Sequence, residues 1–207
     1  MSLRPKIKPV VLVIAWVGLF GSSLFAIEIK PKDKRDEVLI KEPIETGVFG
    51  GMNIKLTEIN NTDAWLFGFK GGIIANHTFS IGGGIYGLAH HITVETEYPL
   101  RNYYIEFGYG GLTLELILGS RKMIHPGVNF LVGGGSICYC DRFYEPWYRD
   151  VFFVLESSAE ITLNVTRCLR IDFGGSHRYI NGVKLSGISD RGLSGFSGYI
   201  TLKFGRF

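Results

Sequence analysis

The sequence predicts an all-β fold: an eight-stranded antiparallel up-and-down transmembrane β-barrel, preceded by a cleaved signal peptide. Three observations support this prediction. An apolar stretch with a basic flank opens the chain, and segments of alternating polarity follow it. The composition is rich in glycine and aromatic residues but poor in proline, with 28 Gly, 7 Pro and 14% Phe, Trp and Tyr among 207 residues. Such a composition is typical of strongly curved β-sheets rather than of helices.

The N-terminal stretch has the parts of a secretory signal peptide. Arg4, Lys6 and Lys8 are followed by an apolar run over residues 10–20 and then by small residues up to Ala26. An uncleaved anchor helix is the alternative, but a helix that spans a membrane needs roughly 20 apolar residues. We therefore expect residues 1–26 to be removed when the chain is exported through the inner membrane.

Removal of the signal peptide changes the charge of the chain. The formal net charge of +3 equals the three basic residues of the signal peptide, so the mature chain is formally neutral. A neutral chain gives no support for a nucleic-acid partner. Residues 27–45 are crowded with Lys, Asp and Glu and are predicted to form a charged periplasmic N-terminal segment, whereas residues 46–207 are predicted to form the barrel.

The predicted barrel divides into segments in which apolar residues alternate with polar residues or glycine. Trp65, Phe67 and Phe69, for example, alternate with Gly68 and Lys70. A period of two is the pattern of a β-strand with two different faces. The strands predicted in this way are residues 47–57, 64–75, 79–90, 125–138, 151–163, 168–180 and 193–207.

Residues 102–119 allow two interpretations. The parity of the apolar residues changes at Gly110 and Gly111, so this segment is either a hairpin of two strands or one long strand with a β-bulge. One bulged strand gives eight strands in total, and single-chain bacterial membrane barrels have even strand numbers.

With eight strands, the short connections also fall at one end of the barrel and the long connections at the other. The short connections are residues 76–77, 120–123 and 164–167, and they share one end. The opposite end has long connections at 91–101, 139–150 and 181–192 and an intermediate one at 58–63. Short periplasmic turns and long outer loops are the pattern of outer-membrane barrels.

The polar faces of the strands carry the charges and many glycines, whereas the other faces are almost free of charge. A membrane barrel turns its apolar face to lipid. The interior of an eight-stranded barrel is filled by side chains, so charges of both signs are expected to pair there and close the lumen. The predicted interior charge network comprises Lys55, Lys70, Glu106, Glu115, Glu156, Glu160, Arg170, Asp172, Arg178 and Lys203.

Several stretches resemble small, uncharacterised outer-membrane β-barrel proteins of Bacteroidota-like Gram-negative bacteria, in the OmpA/OmpW-like barrel class. These stretches are residues 71–79, 81–88, 108–115, 163–166 and 202–207. The resemblance covers residues 46–207 and implies the bacterial outer membrane as the location, but it carries no assigned chemistry. It departs from the usual C-terminal assembly signal, because Gly205, Lys203 and Thr201 occupy the alternate positions counted back from the final Phe207.

The connection at 139–150 is the strongest candidate for binding, because it combines aromatic with charged side chains. The alternative is an aromatic belt at the membrane interface together with a loop that packs on itself. The candidate binding residues are Tyr139, Phe143, Tyr144, Trp147 and Tyr148.

Together these features predict a non-enzymatic outer-membrane barrel with a structural or surface-interaction role. The alternative is the transport of small or apolar molecules, for instance through a lateral gap beside Gly110 and Gly111. A lipid-modifying enzyme is the weakest alternative, since nothing brings His90 or His91 to a serine and a carboxylate, and no catalytic residue, metal site or cofactor is predicted. The expected partners are outer-membrane lipid and the barrel-assembly machinery, which would contact the C-terminal strand, and we expect a monomer.

Overall fold

The computed structural model describes residues 44–90, 92–94, 103–140, 146–185 and 187–207. The predicted signal peptide and almost all of the predicted N-terminal segment lie outside these ranges. The strands are β1 (Thr46–Ile59), β2 (Thr62–Ala75), β3 (Phe79–Leu88), β4 (Ile92–Val94), β5 (Tyr103–Ile117), β6 (Ile124–Cys140), β7 (Pro146–Asn164), β8 (Leu169–Asn181) and β9 (Gly195–Arg206), and the helix is α1 (Asp190–Leu193). Within the described ranges, no helix is long and apolar enough to cross a membrane.

The strands form a closed antiparallel barrel. Each pairs with its neighbours in the order β3-β2-β1-β9-β8-β7-β6-β5, and β3 pairs with β5 to close the sheet. β4 also pairs with β5, beyond the end of β3, so β3 and β4 occupy one position in the barrel. The barrel therefore has eight positions, which confirms the predicted eight-stranded fold. The presence of β4 shortens the connection predicted at 91–101.

The predicted bulge at Gly110 and Gly111 is wrong. β5 pairs without a register shift on both sides there, with β3 through Ile85 and Gly84 and with β6 through two further glycines. The parity of the apolar residues changes for another reason. The inward face of β5 is apolar towards one end of the barrel and polar towards the other, while its outward face is apolar at the polar-inside end. The odd-numbered residues of β5 therefore face inward on both sides of Gly110 and Gly111.

The two ends of the barrel differ in their connections. At one end, here called the terminal end, lie Thr46, Arg206 and the short turns after β2, β5 and β7. At the other, here called the loop end, the connection predicted as residues 58–63 is a two-residue turn. Its Asn60 and Asn61 have φ of 50° and 63°, values that asparagine tolerates and that hairpin turns of this length require.

Much of the connection predicted at 139–150 is strand. β6 runs to Cys140 and β7 starts at Pro146, so the two strands continue past the last pair of β7 with β8 as a paired ribbon. β5 stays paired with the other edge of β6 as far as Cys140. Only residues 141–145 lie between them, outside the described residues. Aromatic residues favour strands, and this preference explains why the sequence pattern of a loop forms paired strand here.

The remaining long connection folds over the loop end. Residues 182–194, here called the cap, include α1, and Ser189 caps this helix by accepting a hydrogen bond from the Gly192 amide at 3.1 Å. Leu185, Ile188 and Leu193 of the cap are buried against the inside of the barrel. The strand predicted from residue 193 consequently begins at Gly195.

Candidate functional site

The outward face of the barrel carries an apolar belt. Large apolar side chains on every long strand are between about a third and three quarters exposed; in β1, for example, Met52 is 42% and Leu56 49% exposed. Their inward neighbours, Asn53 and Lys55, are 1% and 3% exposed. The polarity of the barrel wall is therefore inverted relative to a water-soluble protein, which buries its apolar face.

The interior of the terminal half contains a buried cluster of five charges. Lys203 Nζ lies 2.6 Å from Glu115, 3.0 Å from Glu160 and 2.8 Å from Asp172. Lys70 Nζ lies 3.4 Å from both Glu160 and Asp172. All five side chains are 5% exposed or less. Two lysines thus hold three carboxylates, and the five side chains come from five different strands, so the cluster connects the barrel walls across the lumen.

A separate ion pair lies nearer the middle of the barrel. Lys55 Nζ is 2.5 Å from Glu156 Oε1 and 3.6 Å from the centre of the Tyr86 ring. The Tyr109 hydroxyl donates to the other oxygen of Glu156 at 2.7 Å. The carboxylate therefore has a partner for each oxygen, as buried charges require.

Two tyrosines in these clusters were not among the residues selected from the sequence. Tyr109 bonds Glu156, and the Tyr199 hydroxyl donates to Glu160 at 2.7 Å. Both sit on inward faces, so the strand parity could have identified them. In a hydropathy pattern, however, tyrosine counts as an apolar residue. The structure is needed to show that its hydroxyl donates a hydrogen bond to a carboxylate across the lumen.

The arginines at either side of these clusters have other contacts. Arg178 is fully buried at 0% exposure, and its Nε donates to the Leu193 carbonyl of the cap at 2.9 Å. Its guanidinium also lies 5.3 Å from the centre of the Phe107 ring. At the terminal end, the Arg170 guanidinium lies 4.0 Å from the centre of the Phe207 ring. Arg178 therefore contacts the cap at the loop end, and Arg170 contacts Phe207 at the terminal end.

Glu106 does not belong to the interior. In β5 its inward neighbours are Ile105 and Phe107, so Glu106 projects outward, where it is partly buried and accepts a weak hydrogen bond from the Cys138 thiol at 3.7 Å. The prediction placed it inside because the parity change at Gly110 was attributed to a bulge. Without the bulge, Glu106 and Glu115 lie on opposite faces.

The interior of the loop half is apolar. Ile59, Leu66, Ile105, Ile137 and Val154 project inward, each 1% exposed or less. The cap side chains Leu185, Ile188 and Leu193 complete this cluster. The sequence prediction of a charged interior therefore describes the terminal half and the middle of the barrel, whereas in the loop half Arg178 is the predicted charge that is buried, beside the cap.

The filled interior leaves little free space. A void of about 10 Å³ lies among Asn53, Lys55, Asn129 and Glu156, which is about enough for one water molecule. The side-chain carbonyl oxygens of both asparagines are buried without a hydrogen-bond partner among the described residues. At this level of the barrel, the described side chains thus leave space for about one water molecule.

The aromatic residues of the predicted outer loop are only partly described. Tyr139 is half-buried and packs beside the apolar cluster of the loop half, while Trp147 and Tyr148 belong to β7. Phe143 and Tyr144 lie outside the described residues. The structure therefore brings Tyr139 to the barrel mouth and places the backbone of Trp147 and Tyr148 in the extended ribbon.

The residues considered for catalysis do not form a described site. His90 is exposed at the loop end, and Ser189 is engaged as the N-cap of α1. His91 and Ser186 lie outside the described residues. Among those described, no group of three or more His, Cys, Asp and Glu side chains is arranged to hold a metal ion.

Known proteins resemble this chain in fold. No protein-family profile and no curated protein matches it. The crystal structure of Neisserial surface protein A (NspA) has a TM-score of 0.59 at 9% sequence identity and covers 79% of this chain and 99% of that one. Ail, the attachment invasion locus protein of Yersinia pestis, has a TM-score of 0.47 at 11% identity and covers 78% and 97%.

A third similar structure is the N-terminal β-barrel domain of Pseudomonas aeruginosa OprF, with a TM-score of 0.47 at 9% identity and coverage of 76% and 96%. The likeness to NspA, at 9% identity, extends to the fold alone, and it agrees with the eight-stranded barrel. Nothing in these comparisons supports the Bacteroidota origin that the sequence resemblance implied.

Proposed function

We propose that this chain is a non-enzymatic outer-membrane β-barrel with a structural or surface-interaction role and a sealed interior. The observation that carries the proposal is the inverted polarity of the wall. Met52 is 42% exposed on the outward face while the neighbouring Lys55 is 3% exposed on the inward face. An apolar belt of this extent on a soluble monomer would be an aggregation site, whereas in lipid it is the required surface.

The lengths of the connections support one orientation of the barrel in the membrane. Both ends of the barrel chain and the short turns lie at the terminal end, as they do in barrels whose termini are periplasmic. We infer that the terminal end faces the periplasm, with residues 27–45 there after removal of residues 1–26, and that the loop end faces outward. The extended β6–β7 ribbon, with Tyr139, Trp147 and Tyr148, then lies at the outer end of the described residues and is the candidate contact surface.

The partners follow from this placement. Lipid covers the belt, and the barrel-assembly machinery contacts β9 at the C terminus. Closure of the barrel leaves no unpaired strand edge within the barrel wall at which a second copy could add, so we infer a monomer.

A charge placed in the belt tests the proposal. Met52 lies midway along the outward face of β1, between Val48 and Leu56. In a bilayer, Met52→Arg should lower the free energy of unfolding by about 2–4 kcal/mol. In a water-soluble barrel, an exposed substitution of this kind should change it by less than about 0.5 kcal/mol. The measurement is urea unfolding in lipid vesicles, followed by the faster gel migration of the unheated, folded barrel.

The matched control for this test is Glu58→Arg on the same strand. Glu58 is also exposed on the outward face, but it lies one residue from the loop-end turn, where an arginine costs about 0–1 kcal/mol in a barrel wall. Equal, small effects at both positions, or recovery of the wild-type chain as a soluble protein, would rule out the membrane assignment.

Transport of small apolar molecules remains the second candidate, and the apolar interior of the loop half favours it. Two features oppose it: the pairing of β5 is continuous at Gly110 and Gly111, and charges fill the terminal half. We therefore expect the barrel in planar bilayers to show no steady conductance of porin size. A stable conductance would show an open lumen and would favour transport over the structural role.

A further inference from the structure

The β5–β6 turn and the β7–β8 turn, both at the terminal end, are joined by one asparagine. The side-chain amide of Asn164 donates to the carbonyl of Ser120 at 2.9 Å and to the carbonyl of Lys122 at 2.7 Å. Its backbone amide donates to the Met123 carbonyl at 2.8 Å. The two turns therefore present their exposed side chains on a single surface.

This surface has an apolar part. Met123 of the first turn is 67% exposed and Val165 of the second is 46% exposed, and Ile124 at the start of β6 is 54% exposed. These side chains extend the apolar belt of the outward face as far as the turns. Acyl chains that cover the belt would therefore also reach this surface.

The same surface is basic. Lys122 and Arg167 are exposed on the two turns, and Arg206 is exposed at the end of β9. The Gly205 amide donates to the Cys168 carbonyl at 3.0 Å, which brings Arg206 beside the β7–β8 turn. Among the described residues, none of the three basic side chains has an ion-pair partner within 4.0 Å.

Basic groups outnumber acidic groups outside the lumen at this end. In the described part of the terminal end, the acidic groups outside the lumen are Glu45 and the C-terminal carboxylate of Phe207. Glu45 already has partners, since its Oε2 lies 2.6 Å from His77 Nε2 and 3.8 Å from the Arg121 guanidinium. Residues 27–43 contain equal numbers of basic and acidic residues, so they leave the balance unchanged.

We propose that this surface, here called the basic patch, binds the headgroup of phosphatidylglycerol, an anionic phospholipid. Lys122, Arg167 and Arg206 would hold the phosphate, and the acyl chains would cover Met123 and Val165. The patch would discriminate by net charge. A zwitterionic headgroup brings an ammonium group that the three bases repel, whereas the headgroup of phosphatidylglycerol brings neutral hydroxyls in its place.

The location of the patch agrees with this ligand. We infer above that the terminal end faces the periplasm, and the leaflet on that side of an outer membrane consists of phospholipids. Clusters of Lys and Arg beside a membrane-embedded segment attract anionic lipids. This inference rests on the proposed function, since it requires the belt to lie in a bilayer.

Tryptophan fluorescence allows a test with one reporter at each end of the barrel. The chain has tryptophans at positions 16, 65 and 147, and the first lies in the predicted signal peptide. In the mature chain, Trp65→Phe/Trp147→Phe/Met123→Trp leaves one tryptophan, in the basic patch. Trp147→Phe alone leaves Trp65, on the outward face towards the loop end.

The vesicles would contain phosphatidylcholine with a small, equal fraction of phosphatidylglycerol or phosphatidylethanolamine whose acyl chains are brominated, because bromine quenches tryptophan on contact. At the basic patch, the relative affinity for phosphatidylglycerol should be about fivefold above that for phosphatidylethanolamine, as expected for a few exposed charge contacts. Salt at about 1 M, where the Debye length is about 3 Å, should reduce this preference. At Trp65 the two lipids should quench equally.

Two matched variants identify the source of the preference. The first removes the three bases of the patch and should abolish the preference: Lys122→Gln/Arg167→Gln/Arg206→Gln. The second removes three exposed bases at the loop end and should preserve it: Arg149→Gln/Lys184→Gln/Arg191→Gln. Both carry the reporter in the basic patch, and both remove the same charge.

The outcomes separate this inference from the proposed function. Equal quenching by both lipids at the patch, an equal preference at Trp65, or a preference that survives loss of the three patch bases would overturn the headgroup site and leave the membrane barrel intact. A preference that appears only when residues 27–43 are deleted would show that this segment covers the patch, and would also overturn the site. Failure of every brominated lipid to quench either reporter would show that the wall is not in lipid and would overturn the proposed function itself.

Discussion

The two halves of the barrel interior are closed by opposite chemistry. In the terminal half, Lys70 and Lys203 hold three carboxylates within 4.0 Å. In the loop half, aliphatic side chains such as Ile105 and Val154 pack against Leu193 of the cap. The surrounding wall is the same antiparallel sheet in both. The difference shows that the contents of a small barrel are independent of the strand pattern that builds its wall.

The charged and the apolar interior should also respond differently to the removal of a side chain. An apolar contact that is lost leaves a cavity, and the surrounding side chains can partly fill it. A charge that loses its partner inside the barrel keeps most of its desolvation cost, because bulk water does not surround it there. The terminal half should therefore be sensitive to the loss of one partner and tolerant of the loss of both, whereas the loop half should respond to volume alone.

The largest effect is expected from Glu156→Leu in the charged region. This change leaves Lys55 with no carboxylate at ion-pair distance, since Glu156 is its ion-pair partner among the described residues at 2.5 Å. The cost should be about 3 kcal/mol in the free energy of unfolding, measured in urea in lipid vesicles.

The double variant Lys55→Met/Glu156→Leu sharpens this test. Replacement of a whole buried ion pair by apolar residues is often neutral or stabilising, so most of the loss should be recovered. Glu106→Gln is the matched control outside the lumen and should change stability by less than about 0.5 kcal/mol. If the double variant is as unstable as the two single variants added together, the pair does not act as a unit and the contrast between the halves fails.

The sequence was sufficient to predict the barrel, because a period of two identifies each strand and its two faces. The strand number followed from taking residues 102–119 as one strand, which gives the even number that bacterial membrane barrels have. The sequence was also sufficient to select Lys70, Glu160 and Lys203 as inward charges, since their neighbours on each strand are apolar. It was not sufficient for Glu106. The same sequence pattern arises when one face of a strand changes from apolar to polar and when a bulge exchanges the two faces. The continuous pairing of β5 with β3 and β6 shows that the first occurs here.

The cap could not be predicted for a related reason. Residues 182–194 are rich in glycine, serine and charge, which is typical of a solvated loop. Leu185, Ile188 and Leu193 are isolated along the chain and have no period that would join them to one face. They form a common surface only because the Ser189 cap of α1 and the hydrogen bond from Arg178 to the Leu193 carbonyl fold the segment back into the barrel.

The smaller effect is expected from Leu193→Ala in the apolar region. Leu193 is fully buried at 0% exposure, and removal of a buried leucine side chain to Cβ costs between about 2 and 5 kcal/mol. The lower end, about 2 kcal/mol, is expected because the cap is a loop whose backbone can move towards the cavity, unlike a residue fixed in the barrel wall. Val154→Ala on β7, also at 0% exposure, is the comparison within the wall.

The measurement is again urea unfolding in vesicles. The stability loss of Leu193→Ala should change neither with added salt nor with removal of the charge at Lys55, because the substitution removes only side-chain volume. A loss that changes with ionic strength, or one that exceeds the cost of Glu156→Leu, would mean that the cap is held by Arg178 rather than by its leucines, and the loop half would then depend on charge as the terminal half does.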